Sequence, residues 1–426
     1  MAGGFLFLSY YYPPLKSMGS MRAYYLSHEL AKEHQVHVIS TENAHRLEQE
    51  ALPISTDISV QYVPTYDYRT ITSKKTSKTH YSEGTKSSLL GRTAVKVLNS
   101  FPISSYLGEG GYRYRKAAYR AACQIIDGGG ITHIWSSFRP YADHEVAAQL
   151  KRKYPHLVWV ADYRDIHVDV LKDNVYWRGH QERKAQRLMA SADLVTTISQ
   201  GCLRHLTGIG QRQIVLYNGI PALQQKAGTS TLQHDELQIT FTGSLYGHSR
   251  DPSLLFRALR SLLDGGHIES SRININYAGK DATKWSSYVT KYQLEHISTV
   301  HGMLTYDESL QLQQSSHINL LLTFSHPEVL GAITGKMLEY LQSRKLILCL
   351  IKGVKDAEIE TFVSTYSHGS TFYADTSSLA PIVDFLLDAY QHTIKADTAY
   401  FSHDRSIEKL TWPYLSRQLL REVSAI

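Results

Sequence analysis

Cysteine is scarce in this chain. Its 426 residues include only Cys123, Cys202 and Cys349, far apart and with no Cys-x-x-Cys spacing, which argues against a disulfide framework or a structural zinc site and for a reducing compartment. Long apolar runs are also missing. The longest, around Ile318–Phe324 and Leu346–Ile351, have strand length and fall short of the roughly 20 residues that cross a bilayer. The N-terminus lacks a basic leader and meets Pro13-Pro14 before an apolar h-region could form, so it reads as a first core strand and not a signal peptide. Cytoplasm is the expected location. Charge is nearly balanced: 45 Lys and Arg against 39 Asp and Glu leave +6, which fits an anionic small ligand or a membrane surface better than a nucleic acid.

What the chain does have is alternation. At about 150 residues per domain its length allows two or three globular units, and short β-rich apolar runs alternate with helical patterns throughout, as in parallel α/β sheets. Strands are predicted at Phe5–Ser9, Val36–Ser40, Ile58–Val63, His133–Ser137, Leu157–Ala161, Leu194–Ile198 and Ile214–Tyr217. A second series follows at Leu237–Thr242, Ile273–Ala278, Ser298–His301, His317–Leu322, Leu346–Ile351 and Thr371–Tyr373. Between the series, Asn218-Gly219 and the polar stretch Gln224–Asp235 carry no apolar periodicity. The expected division is therefore 1–220, a linker over 221–236, a second domain over 237–399, and a C-terminal helical segment over 400–426. Thr70–Arg92, rich in Ser, Thr and Lys, reads as a surface loop, either a solvated insertion or a lid facing a membrane or an acceptor.

Chemistry-bearing residues cluster after the strands. The first strand leads through Tyr10-Tyr11-Tyr12-Pro13-Pro14 to Gly19-Ser20 and a helix expected over Met21–Glu33. A helix N-terminus there would offer free N–H groups to an anion, unless the stretch is a plain connection. The second series opens the same way, with Leu237–Thr242, then Gly243 to Arg250, then Asp251 as N-cap and Pro252 at the first helical position. Arg250 would help neutralise a phosphate, or pair with Asp251. Leu304 precedes Thr305-Tyr306-Asp307-Glu308, which has the form of a capping box. In His326–Tyr340, Glu328 is followed by Gly331, Thr334 and Gly335 at a helix start, and Lys336 and Glu339 project from one helix face. They would hold a phosphate and a ribose hydroxyl pair, or simply pair with each other. Asp162-Tyr163-Arg164-Asp165 ends a buried strand, so its charges face either a cleft or one another.

Taken in order, these motifs resemble the retaining, family-4-like glycosyltransferases of the GT-B fold. Carrying the resemblance are Tyr-Tyr-Tyr-Pro-Pro…Gly19-Ser20-Met-Arg22, Ala192-Asp193-Leu194-Val195…Ser199, Tyr217-Asn218-Gly219, Gly243…Arg250-Asp-Pro and Gly331…Thr-Gly-Lys-Met-Leu-Glu339. The resemblance implies two Rossmann-like doubly wound domains facing across a cleft, with the last helix returning to the first domain on an apolar face of Trp412, Leu415 and Leu419. It implies transfer of a sugar from a nucleotide diphosphate sugar to a glycan or lipid-linked glycan with retention of anomeric configuration, in surface polysaccharide assembly. Gly19, Gly243, Arg250, Leu304, Glu328, Thr334, Gly335, Lys336 and Glu339 fall on the donor, Ser20 and Arg22 on the acceptor, and Asp162, Arg164 and Asp165 on catalysis.

The chain departs from the family pattern at four places. The first donor-motif glutamate is Gly331, leaving Glu328 the nearest acid; Ser244 replaces the family's diphosphate-binding Arg; Lys16-Ser17 replaces a glycine pair; and no His follows the strand at 133–137. Arg250, Lys336 and helix N-termini would stabilise the leaving diphosphate without a metal. No Asp-x-Asp pair occurs in the chain, and neither metal nor other cofactor is expected, nor nucleic acid as a partner. A peripheral contact with the inner membrane face is a further expectation, from the basic loop. A sugar-nucleotide 2-epimerase and a catalytically silent scaffold of the same fold remain the alternatives.

Overall fold

The computed structural model describes residues 3–15, 18–42, 52–66, 89–169, 171, 173–221, 235–246, 249–375, 378–401 and 406–426. They fall into two compact units, Met1–Pro221 with Leu410–Ile426, and Ala222–Lys409. Most of the segment expected as a surface loop, and most of the expected linker, lie outside the described residues. Residues 89–92 of that segment instead begin the helix Leu89–Asn99.

The first unit is built on seven strands: β1 (Gly4–Leu8), β2 (Val36–Thr41), β3 (Ile58–Val63), β4 (Ile131–Phe138), β5 (Val158–Tyr163), β6 (Leu194–Thr197) and β7 (Arg212–Val215). Their spatial order is β3-β2-β1-β4-β5-β6-β7 with every pair parallel. A parallel sheet covered on both faces needs apolar side chains of both parities, and β1 supplies them. Leu6 and Leu8 join a core with residues of the helices Gly111–Asp127 and Ala142–Lys153. Phe5 and Phe7 join another with Ala23, Leu26 and Leu30 and with Trp412, Leu415 and Leu419 of the helix Trp412–Val423. That last helix belongs to the first unit although the chain reaches it through the second. The outgoing and returning segments form an isolated parallel bridge between Ile220 and Thr411, Ile220 N donating to Leu410 O at 2.8 Å and Trp412 N to Ile220 O at 3.0 Å. Gly219 is required there, since a Cβ would come within 2.6 Å of the Trp412 ring.

The second unit has six parallel strands, β8 (Leu237–Thr242), β9 (Ile273–Ala278), β10 (Ser298–Gly302), β11 (Ile318–Ser325), β12 (Leu346–Gly353) and β13 (Ser370–Tyr373), in the order β10-β9-β8-β11-β12-β13. One side of β8, β9, β11 and β12 packs with Leu254, Leu255 and Leu259 of the helix Ser253–Asp264 and with Ile382 and Leu386 of the helix Leu379–Ile394. Residues of the other parity, Leu321, Ile347, Cys349 and Ile351, are buried as well. In both units the strand order reverses beside the first strand, between β1 and β4 and between β8 and β11. That reversal opens a crevice at the carboxyl ends of the strands, where open α/β sheets bind ligands. No helix among the described residues is long and apolar enough to cross a membrane.

Candidate functional site

In the first unit the helix after β1 runs Met18–Leu30, three residues ahead of its expected start at Met21. Gly19 and Ser20 therefore belong to its first turn and not to a loop. Gly19 lies against the Arg164 guanidinium, where a Cβ would meet its carbon at 2.1 Å, so glycine is what lets Arg164 fold over the helix start. Arg164 donates from Nη2 to Arg139 O at 2.7 Å and stands 5.5 Å from the centre of the Tyr11 ring.

Arg22 and Asp162 correct two expectations. Both are buried, and Arg22 grips Asp162 from Nε at 3.0 and 3.1 Å and from Nη2 at 2.8 Å. Thr196 and Ser137 donate to the same carboxylate at 2.6 and 3.3 Å, while Arg22 Nη1 donates to Tyr217 O at 3.0 Å. With every oxygen engaged and no surface to offer, Asp162 holds the ends of β4, β5 and β6 to the first helix and does not meet a substrate; Arg22 likewise reaches no acceptor. Ser20, also expected on the acceptor, is fully buried. The charged cluster at the end of β5 thus divides: Asp162 turns inward, and the half-buried Arg164 and Asp165 remain at the edge.

Three titratable groups near this edge carried no signal in the sequence. Asp143, at the start of the helix Ala142–Lys153, accepts from Tyr10 N at 2.8 Å and Tyr114 Oη at 2.6 Å, and burial pushes its carboxyl up to about 7. His144, fully buried, lies 2.8 Å by Nδ1 from Ser136 Oγ, and burial lowers it to about 3. His167, which burial lowers to about 4, lies 4.5 Å from the Tyr141 ring. No His follows β4 directly, yet the fold brings these two to its carboxyl end.

In the second unit the turn after β8 is held from beneath. Gly243 (φ 143°) accepts at its carbonyl from Tyr277 Oη at 3.1 Å, Leu245 N donates to Asp281 Oδ2 at 2.8 Å, and burial pushes the Tyr277 phenol up to about 12. The helix that follows starts at Ser253, one residue later than expected, so that Pro252 and not Asp251 stands at the N-cap, while Asp251 accepts from Ser253 N at 2.9 Å. Asp251 pairs with Lys352 at 3.5 Å and not with Arg250. Arg250 donates to Ser244 O at 2.9 Å and lies 4.3 Å from the Tyr246 ring centre, on which Lys280 also closes at 5.6 Å. Lys280, one residue beyond Gly279 at the end of β9, escaped the sequence because no motif surrounds it.

After β10 the capping box is present, Glu308 N donating to Thr305 Oγ1 at 3.3 Å and Thr305 N to Glu308 Oε2 at 2.8 Å, and Leu304 is part-buried ahead of it. After β11, Glu328 stands exposed on a tight turn closed by Val329 N donating to His326 O at 2.8 Å. Gly331 (φ 67°) donates to the buried Asp356 at 2.8 Å, so the backbone where the family pattern has its first glutamate is anchored by a carboxylate from beyond β12. Thr334 caps the helix Gly335–Ser343, accepting from Met337 N. On its first turns Lys336 and Glu339, each about a quarter exposed, pair at 2.5 Å. Gln313 reaches Glu339 Oε2 at 3.5 Å and Thr242 Oγ1 at 3.0 Å, and Tyr340 Oη accepts from Thr242 N at 3.1 Å. The helix start is thereby tied to the end of β8.

No protein-family model matches the chain, and no curated protein matches it in sequence. Solved structures do. It is similar to sucrose-phosphate synthase from Thermosynechococcus elongatus (13% identity, 99% of both chains, TM-score 0.58) and to the N-terminal domain of trehalose-6-phosphate phosphatase from Candida albicans (12%, 100% of this chain and 97% of that one, TM-score 0.60). It is also similar to the lipopolysaccharide outer core galactosyltransferase WaaB (10%, 99% of both chains, TM-score 0.55). At such identities the likeness is one of fold: two Rossmann-like parallel-sheet units, the GT-B architecture.

Proposed function

We propose that this chain is a glycosyltransferase that takes a sugar from a nucleotide diphosphate donor held by the second unit. One observation carries the reading: the carboxyl edge of that unit's sheet presents Arg250, Lys280 and Lys336 beside Glu339, a carboxylate itself steadied by Gln313. A diphosphate needs cations and free helix N–H groups, and a ribose needs a carboxylate that accepts from two hydroxyls. When the donor binds, Lys336 exchanges Glu339 for phosphate and the carboxylate turns to the ribose. Charge growing on the leaving diphosphate is met by Arg250, Lys336 and the Thr334-capped helix start, with no step assigned to a metal. Glu328, on its exposed turn, belongs to the sugar end of the donor, and Leu304 to the nucleoside end.

In the first unit Arg164 and Asp165 orient the acceptor, a glycan or lipid-linked glycan. Retention of configuration, with the departing phosphate oxygen taking the acceptor proton, follows from the motif resemblance, as does hexosyl transfer. A role in surface polysaccharide assembly goes with this reading, a galactosyltransferase of the lipopolysaccharide outer core having the same fold, and peripheral membrane contact rests on the basic residues of 70–92. The test is a thermal-shift and calorimetric screen of the full chain against UDP, GDP, ADP and their sugar conjugates, with and without EDTA. Stabilisation by one nucleotide family, unaltered by EDTA, is the expected outcome. A folded sample that responds to none of them removes the transferase in favour of a silent scaffold, and turnover of a sugar nucleotide without any acceptor would mark an epimerase.

A further inference from the structure

The first unit contains a hollow that the motifs do not touch, except at Asp165. It opens where β4 and β5 end, walled by Phe101, Arg139, Tyr141, Glu145, Asp165 and His167, with Glu109 and Asp169 at its sides. Its charge runs against that of the chain. Four carboxylates line it, and the one guanidinium among the lining residues, Arg139, is paired with Glu109 at 3.1 Å. Glu145 is held by Arg115 at 2.8 Å and by the Ser105 hydroxyl at 2.5 Å. Asp165, beside Arg164, accepts from Ile166 N at 2.9 Å, a local turn contact, and lines the hollow. The wall is braced before any ligand arrives: Asn174 accepts from Asp169 N at 2.9 Å and donates to His167 O at 3.1 Å. His167 Nε2 is buried with no hydrogen-bond partner, and the low pKa that burial imposes keeps the ring neutral at pH 7. An orphaned polar atom in a braced hollow is costly unless something completes it.

We infer that this hollow is the subsite for the acceptor sugar, and that its carboxylates select a sugar residue that is uncharged or carries an ammonium group, and reject a phosphorylated or carboxylated one. Sugar hydroxyls donate to Asp165 and engage His167 Nε2, while a phosphate would meet a lining of four carboxylates and one guanidinium, Arg139, already paired with Glu109; of the guanidinium groups around it, Arg115 holds Glu145 and Arg164 lies over Gly19 and donates to Arg139 O. The word acceptor rests on the transferase reading; the preference for a hydrogen-bond-donating sugar rests on the hollow alone.

The test uses the full chain without nucleotide, titrated by calorimetry and saturation-transfer NMR with methyl glucoside, methyl galactoside, glucosamine and glucose 6-phosphate. Saturable binding of at least one of the first three, with glucose 6-phosphate at least tenfold weaker, is expected. Asp165→Asn should weaken the binding about tenfold and narrow the gap to the phosphorylated sugar; His167→Phe, which keeps a ring but deletes the orphaned nitrogen, should weaken it several-fold. Glucose 6-phosphate binding as tightly as its parent, no binding by any of the sugars, or indifference to both substitutions overturns the inference. Nucleotide binding in the same samples reports separately: sugar bound without any nucleotide response would keep the hollow and sink the transferase.

Discussion

In the first unit the strongest charged pair at the sheet's carboxyl edge, Arg22 with Asp162, is wholly consumed inside the protein, whereas in the second unit the corresponding pair, Lys336 with Glu339, stays about a quarter exposed. Both lie near the carboxyl ends of the strands, the first pair joining the end of β5 to the helix after β1 and the second lying within the helix after β11. A buried, fully hydrogen-bonded ion pair organises the backbone and is costly to open. A part-exposed intrahelical pair is worth only a few tenths of a kcal/mol, about 0.2–0.5, so a ligand can replace it. The same Rossmann crevice thus holds a closed brace in one unit and, in the other, a pair weak enough for a ligand to displace.

The largest expected effect breaks the brace. Arg22→Met leaves Asp162 charged and unpaired in the core and should cost about 3–5 kcal/mol of stability, read as a large fall in the unfolding midpoint; a small fall would mean that Thr196 and Ser137 suffice. Asp143 probes burial at the same edge. Its folded pKa of about 7 lies above its ordinary value, so the native state holds the proton more tightly than the unfolded one. Stability from that proton is complete below about pH 4 and is lost as pH rises through 7. Asp143→Asn should therefore gain about 2–3 kcal/mol on the wild type between pH 5 and pH 8, in paired denaturant titrations at the two pH values. A constant difference would mean that the carboxyl is ionised throughout.

The grip is tested by Lys336→Ala and Glu339→Ala, each expected to weaken binding of the stabilising nucleotide sugar by about 1–3 kcal/mol while leaving the unfolding midpoint nearly unchanged. A stability loss as large as that of Arg22→Met would erase the contrast between the units. The smallest effect is local. Thr305→Ala removes the capping box ahead of the helix Tyr306–Gln314 and should cost about 1 kcal/mol, visible in chemical denaturation, with no effect on sugar binding by the first unit.

Much of the fold was legible because its signals are local. All thirteen predicted strands are present, since parallel strands buried on both faces must be written as short apolar runs, such as Phe5-Leu6-Phe7-Leu8 and Leu346–Ile351. Thr305 and Glu308 form their capping box because both partners lie within one turn. Boundaries moved where local rules compete: Met18 rather than Met21 starts the first helix, and Ser253 rather than Pro252 the ninth-strand crossover. The site was less legible. Glu339 and Lys336 could be paired from their spacing, but Gln313, in the last turn of the helix Tyr306–Gln314, and Asp356 and Lys280, beyond the ends of β12 and β9, carry no motif.

The sequence by itself determined the alternation of strands and helices, hence two parallel sheets, and which residues stand at the carboxyl ends of the strands, because periodicity and capping act over a few residues. Only the tertiary structure decided which of those charged residues face each other. Asp162 and Arg164, two apart at the end of β5, have opposite fates: one is closed on Arg22, 140 residues away in the chain, and the other lies over Gly19 at the edge. Alternation along a strand would send both to the same face, but β5 ends at Tyr163, and beyond it whether a charge is met by a partner depends on what the rest of the chain packs against it.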